Sequence, residues 1–437
     1  MKTRFILLIA LLFISSCTLD HETEGRIDSD TISIEEAMRS LDIFLSHQSQ
    51  YSKETRSAAK KPHKIMTVTS SDIKSVTRSS SDETSTPLVY VVNYENDGGF
   101  AILAANTALP DPVIAVTEKG NLNNDLSLSR NGQSMQTEAD EDFSCFIKTM
   151  IVNYIERERT SGRGEGDGGG EGGGTGGGDD TGDNPAGDDP NTNHPGGPAN
   201  PLYNVAPLFP NWWDQDSPFN QYCPTIGGKH CKAGCTPVAT AMALTYYYYS
   251  RNATWTIMNN HQLNLDSLYC FYLYDTTYTS IVLTSGIGEE DSALLLYHIG
   301  VSIGADYDTT ATSAGLNSVK QYLQTSGFSN ATLHNGYDLN YVIDMIPSGK
   351  IVIMSGYDAF FPSVGHSWIV DGIMQYHTSF SVQSLVHCNW GNYGIANGYY
   401  TSGVFTPNNG PVQIDPLDMA IDTGSHNYTY WIKTLTY

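Results

Sequence analysis

A cysteine between a glycine and a predicted helix start is the first residue of this chain that could do chemistry. Residues 232–241 read Lys-Ala-Gly-Cys-Thr-Pro-Val-Ala-Thr-Ala. Pro237 suits the first turn of a helix, because the N–H that proline lacks would have no intrahelical partner there. The residues after it predict a buried helix, so Cys235 would lie at the positive end of the helix dipole, which lowers a thiol pKa. This segment predicts a cysteine nucleophile at Cys235.

A histidine downstream could act as the base for this thiol. Residues 365–370 alternate in a way that predicts a strand, and the Asp371-Gly372 pair predicts a turn that ends it. His366 follows Cys235 by 131 residues, within the roughly 130–150 residues found between cysteine and histidine in papain-like sites. His366 is therefore the predicted base, and His387 is its main rival.

An asparagine and a glutamine could complete the site. Asn389 opens the sequence Asn-Trp-Gly; its side chain could accept from one imidazole nitrogen and fix the tautomer, while Trp390 shields that bond from water. Gln215 lies near the start of the same unit, where papain-like enzymes place a donor for the oxyanion. We predict substrate contacts at Trp390, Gly365 and Ser355, with no metal or cofactor.

The N-terminus predicts export and a lipid anchor. Lys2 and Arg4 precede an apolar run over residues 5–14. This run is shorter than the about 20 residues that span a bilayer, and it suits a signal peptide. The sequence Ile-Ser-Ser-Cys at 14–17 resembles a bacterial lipobox, with Cys17 as the residue that becomes lipidated. Ordinary signal cleavage near Ser16 is the alternative.

Composition argues against one class of partner and limits what the cysteines could do. The chain has 437 residues, of which 40% are hydrophobic, enough for more than one core. Its net charge of −24 argues against nucleic-acid binding. Cys223 and Cys231 are candidates for a short-loop disulfide, although an odd number of cysteines remains once Cys17 and Cys235 are set aside. Zinc binding by Cys223, His230, Cys231 and Cys235 is disfavoured, because their spacing fits no standard structural site.

Low-complexity sequence divides the chain into two folded units of unequal size. Residues 160–200 are dominated by Gly, Asp, Pro and Asn, which predicts a flexible linker. Before it come a signal peptide at 1–17, an acidic tether at 18–31 and a small α+β unit at 32–159. That unit has predicted helices at 34–45 and 142–155 and strands at 88–94, 100–104 and 113–116.

Residues 201–437 have the size of one large catalytic domain. Helices are predicted from Cys235, at 290–299 and at 315–325, and strands at 351–354, 367–370, 384–388 and 398–401. A helical first half that carries the nucleophile and an antiparallel second half that carries the histidine make an α+β arrangement. We expect the active site in the cleft between these halves.

Together these segments resemble the streptopain family of bacterial cysteine peptidases, which have a papain-like fold. The likeness lies in residues 213–224, which look like the family's Gln-x-x-Pro-Tyr-Asn segment, in Gly234-Cys235, in residues 294–308, in Gly365-His366 and in Asn389-Trp390-Gly391. Residues 90–103 resemble the family's inhibitory pro-domain. Two features depart from the family: Thr236-Pro237 are extra, as in bacteriocin-processing peptidases, and Asn392 replaces a second tryptophan.

The resemblance implies a secreted cysteine endopeptidase that is made as a zymogen and inhibited by its own pro-domain. We expect a monomeric lipoprotein of the outer membrane or cell surface, attached by its lipid alone, whose mature domain could be released. Its substrates would be proteins or peptides. Two alternatives stay open: a catalytically silent surface-binding lipoprotein on the same fold, and an acyl-transfer enzyme of the papain-like class.

Overall fold

The computed structural model describes residues 30–51, 60–73, 86–130, 133–134, 138–161, 202–275, 280–282, 286–358, 365–378, 381–406 and 430–437. The predicted signal peptide, Cys17, and the predicted linker beyond residue 161 lie outside these ranges. Among the helices that are described, none combines the length and apolar character needed to cross a membrane.

The N-terminal unit is a small antiparallel sheet between helices. Its elements are α1 (Ile34–Tyr51), β1 (Pro62–Thr69), α2 (Ser70–Ile73), β2 (Pro87–Tyr94), β3 (Phe100–Ala104), β4 (Val113–Thr117), β5 (Asn121–Leu122), β6 (Leu128–Arg130), β7 (Gln133–Ser134) and α3 (Glu138–Ser161). Strands β2, β3 and β4 are almost entirely buried apolar residues, which is why they lie in the middle of a sheet covered on both faces.

The C-terminal unit has its long helices first and its long strands last. Its elements are β8 (Asn204–Val205), β9 (Thr225–Ile226), β10 (Lys229–His230), α4 (Cys235–Ser250), α5 (Leu265–Cys270), β11 (Leu273–Asp275), β12 (Ser280–Val282), α6 (Ile287–Ser302), α7 (Leu316–Thr325), β13 (Thr332–Asn335), α8 (Leu339–Met345), β14 (Val352–Asp358), β15 (Gly365–His377), β16 (Val382–Asn389), β17 (Gly398–Thr401) and β18 (Tyr430–Thr436). This order confirms the predicted α+β fold with a smaller α+β unit before it.

One sheet runs through both units. In the described residues its strand order is β1-β2-β3-β4-β17-β16-β15-β14-β18-β13, and β8 pairs with β15. The junction is the antiparallel pair β4–β17, in which Val116 lies opposite Tyr399. Helix α1 packs across this junction, because Phe44 contacts the rings of both Tyr376 and Tyr399. The two units are therefore joined by backbone pairing as well as by a shared apolar core.

The predicted turn at Asp371-Gly372 is wrong. Strand β15 continues to His377, and it passes this point with a register irregularity between Val370 and Gly372 against β16. The Asp371 carboxylate is fully buried and accepts from the backbone N–H of Phe209 at 2.9 Å. A buried charge with its own partners sits inside a strand where the sequence pattern suggested a solvated turn.

Candidate active site

Helix α4 begins at Cys235, as the sequence predicts. Gly234 precedes it with φ +93°, and a Cβ there would lie 3.0 Å from the Thr312 side chain. Only glycine combines this backbone conformation with so little space. The Cys235 thiol is thereby placed on the first turn of a buried helix, whose first N–H groups lack intrahelical partners and can stabilise a negative charge.

His366 of β15 lies beside this thiol. Burial raises the pKa of Cys235, but hydrogen bonds from the His366 imidazole and from the backbone of Ser367 outweigh it, so the pKa lies below its ordinary value of 9.0. His366 is 8% exposed. An imidazole that holds a thiol partly as thiolate is the arrangement that cysteine nucleophiles require.

The imidazole of His366 is oriented by a backbone carbonyl and not by the predicted asparagine. Its Nε2 lies 2.7 Å from the carbonyl oxygen of Trp390, which leaves Nδ1 for Cys235. The Asn389 side chain points elsewhere: its Nδ2 donates to the carbonyls of Phe209 at 3.1 Å and Asn211 at 2.7 Å. The predicted contact between Asn389 and His366 is thus corrected, because Asn389 is used to hold the chain at 209–211.

This contact pattern predicts a structural phenotype for Asn389→Ala. Removing the amide would leave two buried carbonyls unpaired, so we expect the free energy of unfolding to fall by about 1–3 kcal/mol. Thermal unfolding of the full chain would measure the change. A loss of activity with no change in unfolding temperature would instead support the orienting role that the sequence suggested.

Gln215 lies next to the segment of chain that leads into Cys235. Its backbone carbonyl accepts from Ala233 N–H at 2.9 Å, and its own N–H donates to Asp214 Oδ1 at 2.7 Å. Burial raises the pKa of Asp214 to about 6, although the bond from Gln215 lowers it. The backbone of Gln215 is thus bonded to the nucleophile segment, and the role of its side chain as oxyanion donor stays a prediction.

Thr236 is a residue whose role the sequence did not reveal. It is 2% exposed, and its hydroxyl donates to the Ala314 carbonyl at 2.8 Å and lies 2.9 Å from Ser367 Oγ. Thr236 therefore links the nucleophile helix to the strand that carries His366. The sequence feature that could have indicated this role is that Thr236 directly follows Cys235 and belongs to an insertion relative to the streptopain family.

The three predicted substrate contacts lie in different surroundings. Trp390 is fully buried, with its ring 5.0 Å from that of Trp368 and 6.2 Å from the His366 imidazole. Gly365 is exposed at the start of β15, and Ser355 is half-buried on β14 opposite Ser367. Gly365 and Ser355 stay predictions, whereas Trp390 forms the wall behind the imidazole.

His387 is excluded as the base in this structure. It is 1% exposed on β16, and its Nδ1 lies 2.6 Å from Asp371 Oδ1. Its Nε2 faces Glu118 of the N-terminal unit at 3.4 Å. Both ring nitrogens are therefore directed at carboxylates, and neither is directed at Cys235.

Cys223 and Cys231 are free thiols, so the predicted disulfide is not formed. Burial, and then the neighbouring Cys231, raise the pKa of Cys223 to about 12, although a side-chain hydrogen bond with Tyr307 lowers it. The two cysteines flank the β9–β10 hairpin, where Cys231 N–H donates to the Pro224 carbonyl at 2.8 Å. Each residue is thus held by its own hydrogen bond.

The N-terminal unit covers the candidate site with helix α3. The rings of Phe143 and Phe146 lie 5.0 Å and 5.8 Å from the His366 imidazole, and both also contact Trp390. Gly356 makes room for Phe146, because a Cβ there would be 3.1 Å from the phenyl ring. The sequence shows two phenylalanines about one helical turn apart, which places them on one helix face. It does not indicate that this face packs against His366.

Each of the two units matches the sequence profile of a known protein family. Residues 213–400 match the sequence profile of the Peptidase C10 family. The unit that carries Cys235 and His366 thus matches the C10 peptidases over most of its length. Residues 29–143 match the Spi protease inhibitor profile, so the predicted inhibitory pro-domain precedes the C10 domain. The resemblance to the streptopain family is thereby confirmed.

Individual relatives are distant. Streptopain of Streptococcus pyogenes is 23% identical in an alignment of length 226, which covers 45% of this chain and 54% of streptopain. The chain thus spans about half the length of the curated relative it matches. Among solved structures, it is similar to a fragment of Prevotella intermedia prointerpain A (17% identity, TM-score 0.47, 81% of this chain and 96% of that chain). It is also similar to active interpain A (20% identity, TM-score 0.35, 53% and 94%).

Proposed function

We propose that this C10 protein is a cysteine endopeptidase made as a zymogen, and that it cleaves peptide bonds of protein or peptide substrates. The observation that carries the proposal is the pairing of a thiol at a helix start with a buried imidazole that lowers its pKa. A surface-binding protein has no need for such a pair.

The reaction follows from the atoms at hand. The Cys235 thiolate attacks the substrate carbonyl carbon, and the resulting oxyanion lies at the N-terminus of α4, where the Cys235 N–H and the Gln215 side chain would donate to it. His366 then protonates the amine as the C–N bond breaks. Water attacks the acyl-enzyme with His366 as base, which releases the acid and restores the thiol. The Trp390 carbonyl holds the imidazole in place through these proton transfers.

Latency follows from the position of the pro-domain. Phe143 and Phe146 occupy the space beside His366 that a substrate side chain would need. The chain at 160–200 is the expected cleavage region, because a segment that its composition predicts to be flexible can enter a protease site in extended form. The test is incubation of the purified full chain with a denatured protein substrate. We expect a lag, then a fragment that starts between residues 160 and 202, then substrate hydrolysis. Products that carry a new amide or ester would indicate acyl transfer instead.

We also propose that the protein is an exported lipoprotein at the outer membrane or cell surface. The support is the lipobox-like sequence at 14–17 and the acidic residues after Cys17. Cys17→Ser is expected to move the protein from the detergent phase to the aqueous phase in a partition assay. Retention in the detergent phase, with the serine variant also labelled by radioactive palmitate, would show that Cys17 is not the anchor.

A further inference from the structure

The two units meet where strand β4 pairs with strand β17, and backbone hydrogen bonds continue this pairing beyond the end of β4. Gly398 of β17 allows a close approach, because a Cβ there would lie 2.3 Å from the Val116 carbonyl oxygen. Beyond β4, the Glu118 N–H donates to the Asn397 carbonyl at 2.7 Å, and the Lys119 carbonyl accepts from the Ala396 N–H at 3.1 Å. This pairing brings the Glu118 and Lys119 side chains against the catalytic domain.

The Glu118 carboxylate fits a socket with two donors. Oε1 lies 3.4 Å from His387 Nε2, and Oε2 accepts from Trp212 Nε1–H at 3.3 Å. Behind the socket, Asp371 holds the other nitrogen of His387 at 2.6 Å. Burial lowers the pKa of His387, but Asp371 and Glu118 outweigh burial and raise it to about 10. The imidazole is therefore cationic and matches the charge of Glu118.

Lys119 occupies an adjacent aromatic site. Its ammonium donates to the Tyr393 carbonyl at 3.0 Å and lies 3.8 Å from the centre of the Tyr393 ring. The Trp212 ring is 4.8 Å away. Carbonyl oxygens and ring faces both favour a cation, whereas burial and then the nearby Arg130 lower the pKa of Lys119 to about 7. Trp212 thus contributes to both sites, by its N–H to the carboxylate and by its ring to the ammonium.

We propose that the Glu118-Lys119 pair anchors the inhibitory domain on the catalytic domain. The docking surface consists of the β17 edge, the carboxylate socket at His387 and Trp212, and the aromatic site at Tyr393. It fits a strand that carries an acidic residue followed by lysine, and its occupant is this segment of the chain's own pro-domain. The proposal rests on the proposed function only in giving the closed state the meaning of inhibition.

Separation of the two domains would leave two groups of the catalytic domain without their partners. Undocking removes the acceptor of Trp212 Nε1–H and one of the two carboxylates around the buried His387. In the docked chain, loss of the Glu118 charge would leave His387 buried with one carboxylate fewer, and such a loss costs far more than a change to an exposed charge. Phe143 and Phe146 pack against the site by apolar contacts. The Glu118 contacts, in contrast, are hydrogen bonds and a charge pair, which fix where the inhibitory domain lies on the catalytic domain.

Hydrogen exchange of the full chain tests this anchor. With Cys235→Ala in every sample, the chain stays intact and activity plays no part. We expect Glu118→Gln to speed the exchange of the Ala396 amide and of the 397–401 segment by at least about tenfold, with a smaller effect for Lys119→Met. Glu95→Gln, an exposed carboxylate in the same domain, is the matched control and should change nothing.

The exchange rates of the β2 and β3 amides distinguish a loss of docking from a loss of stability of the inhibitory domain. They lie inside the inhibitory domain, so they should exchange at the wild-type rate in Glu118→Gln if the residue acts by anchoring. Exchange that rises equally there would mean that Glu118 only stabilises its own domain, and would overturn the proposal. Wild-type exchange at 396–401 would overturn it as well. Trp212→Phe, which removes the N–H from the opposite side, should reproduce the Glu118→Gln pattern. A chain without peptidase activity would give the same exchange data, so the two proposals fail independently.

Discussion

Cys235→Ala is expected to abolish peptide-bond cleavage, with a loss of at least about 10³-fold in kcat/KM. The change removes one sulfur from the first turn of α4, and alanine is the best helix former, so the fold should be retained. The same variant should stay full length on prolonged incubation, because its own cleavage of the linker would be lost. Assays on a denatured protein substrate and gel analysis of the chain give both readings.

The matched control for this variant is Cys270→Ala. Cys270 is a partly exposed free thiol on α5, and nothing in the proposed reaction uses it. It should mature and cleave like the wild type. Activity of Cys235→Ala within a few-fold of wild type would refute the mechanism.

His366→Ala is expected to be nearly as damaging as loss of the thiol. The imidazole lowers the pKa of Cys235 and supplies the proton to the leaving amine, so the two residues act as one unit. The double variant should therefore be no worse than either single variant. Kinetics with the two single variants and the double variant measure this non-additivity.

A histidine of the same strand serves as the control for His366→Ala. His377 lies exposed at the other end of β15, and His377→Ala should leave the rate unchanged. Additive losses in the Cys235/His366 double variant would show that the two residues do not share one step.

The sequence predicts the reactive pair because local patterns carry it. Gly234, Cys235 and Pro237 specify the start of a helix without help from distant residues, and the alternation around His366 specifies a strand. The placement of this helix against this strand follows from the family resemblance and from the common α+β architecture. A nucleophile and a base can therefore be proposed from the amino-acid sequence alone.

The errors lie where a side chain's partner is distant in sequence. The sequence places Asn389 at the imidazole, but its amide binds carbonyls about 180 residues earlier in the chain, and a backbone carbonyl of Trp390 takes its place. Backbone acceptors leave no trace in residue types. The Asp371-Gly372 pair predicts a turn because Asp-Gly pairs favour turns, yet a buried His387 satisfies Asp371 inside a strand.

The shared sheet also cannot be derived from local pattern. Strands β4 and β17 can both be predicted as strands, but nothing in either segment indicates that they pair with each other. Gly398 marks the junction, because a side chain there would collide with the backbone of β4. The inhibitory domain is thus predictable as a unit, whereas its mode of docking depends on contacts between residues far apart in the chain.

Covalent labelling of the matured wild-type protein tests the central claim most directly. A thiol-directed peptidase inhibitor should add once per chain, and peptide mapping by mass spectrometry should place the adduct on Cys235. The full-length Cys235→Ala protein should take up none at the same inhibitor concentration. An adduct on Cys270 or another cysteine, or labelling that persists in Cys235→Ala, would contradict the assignment of Cys235 as the nucleophile.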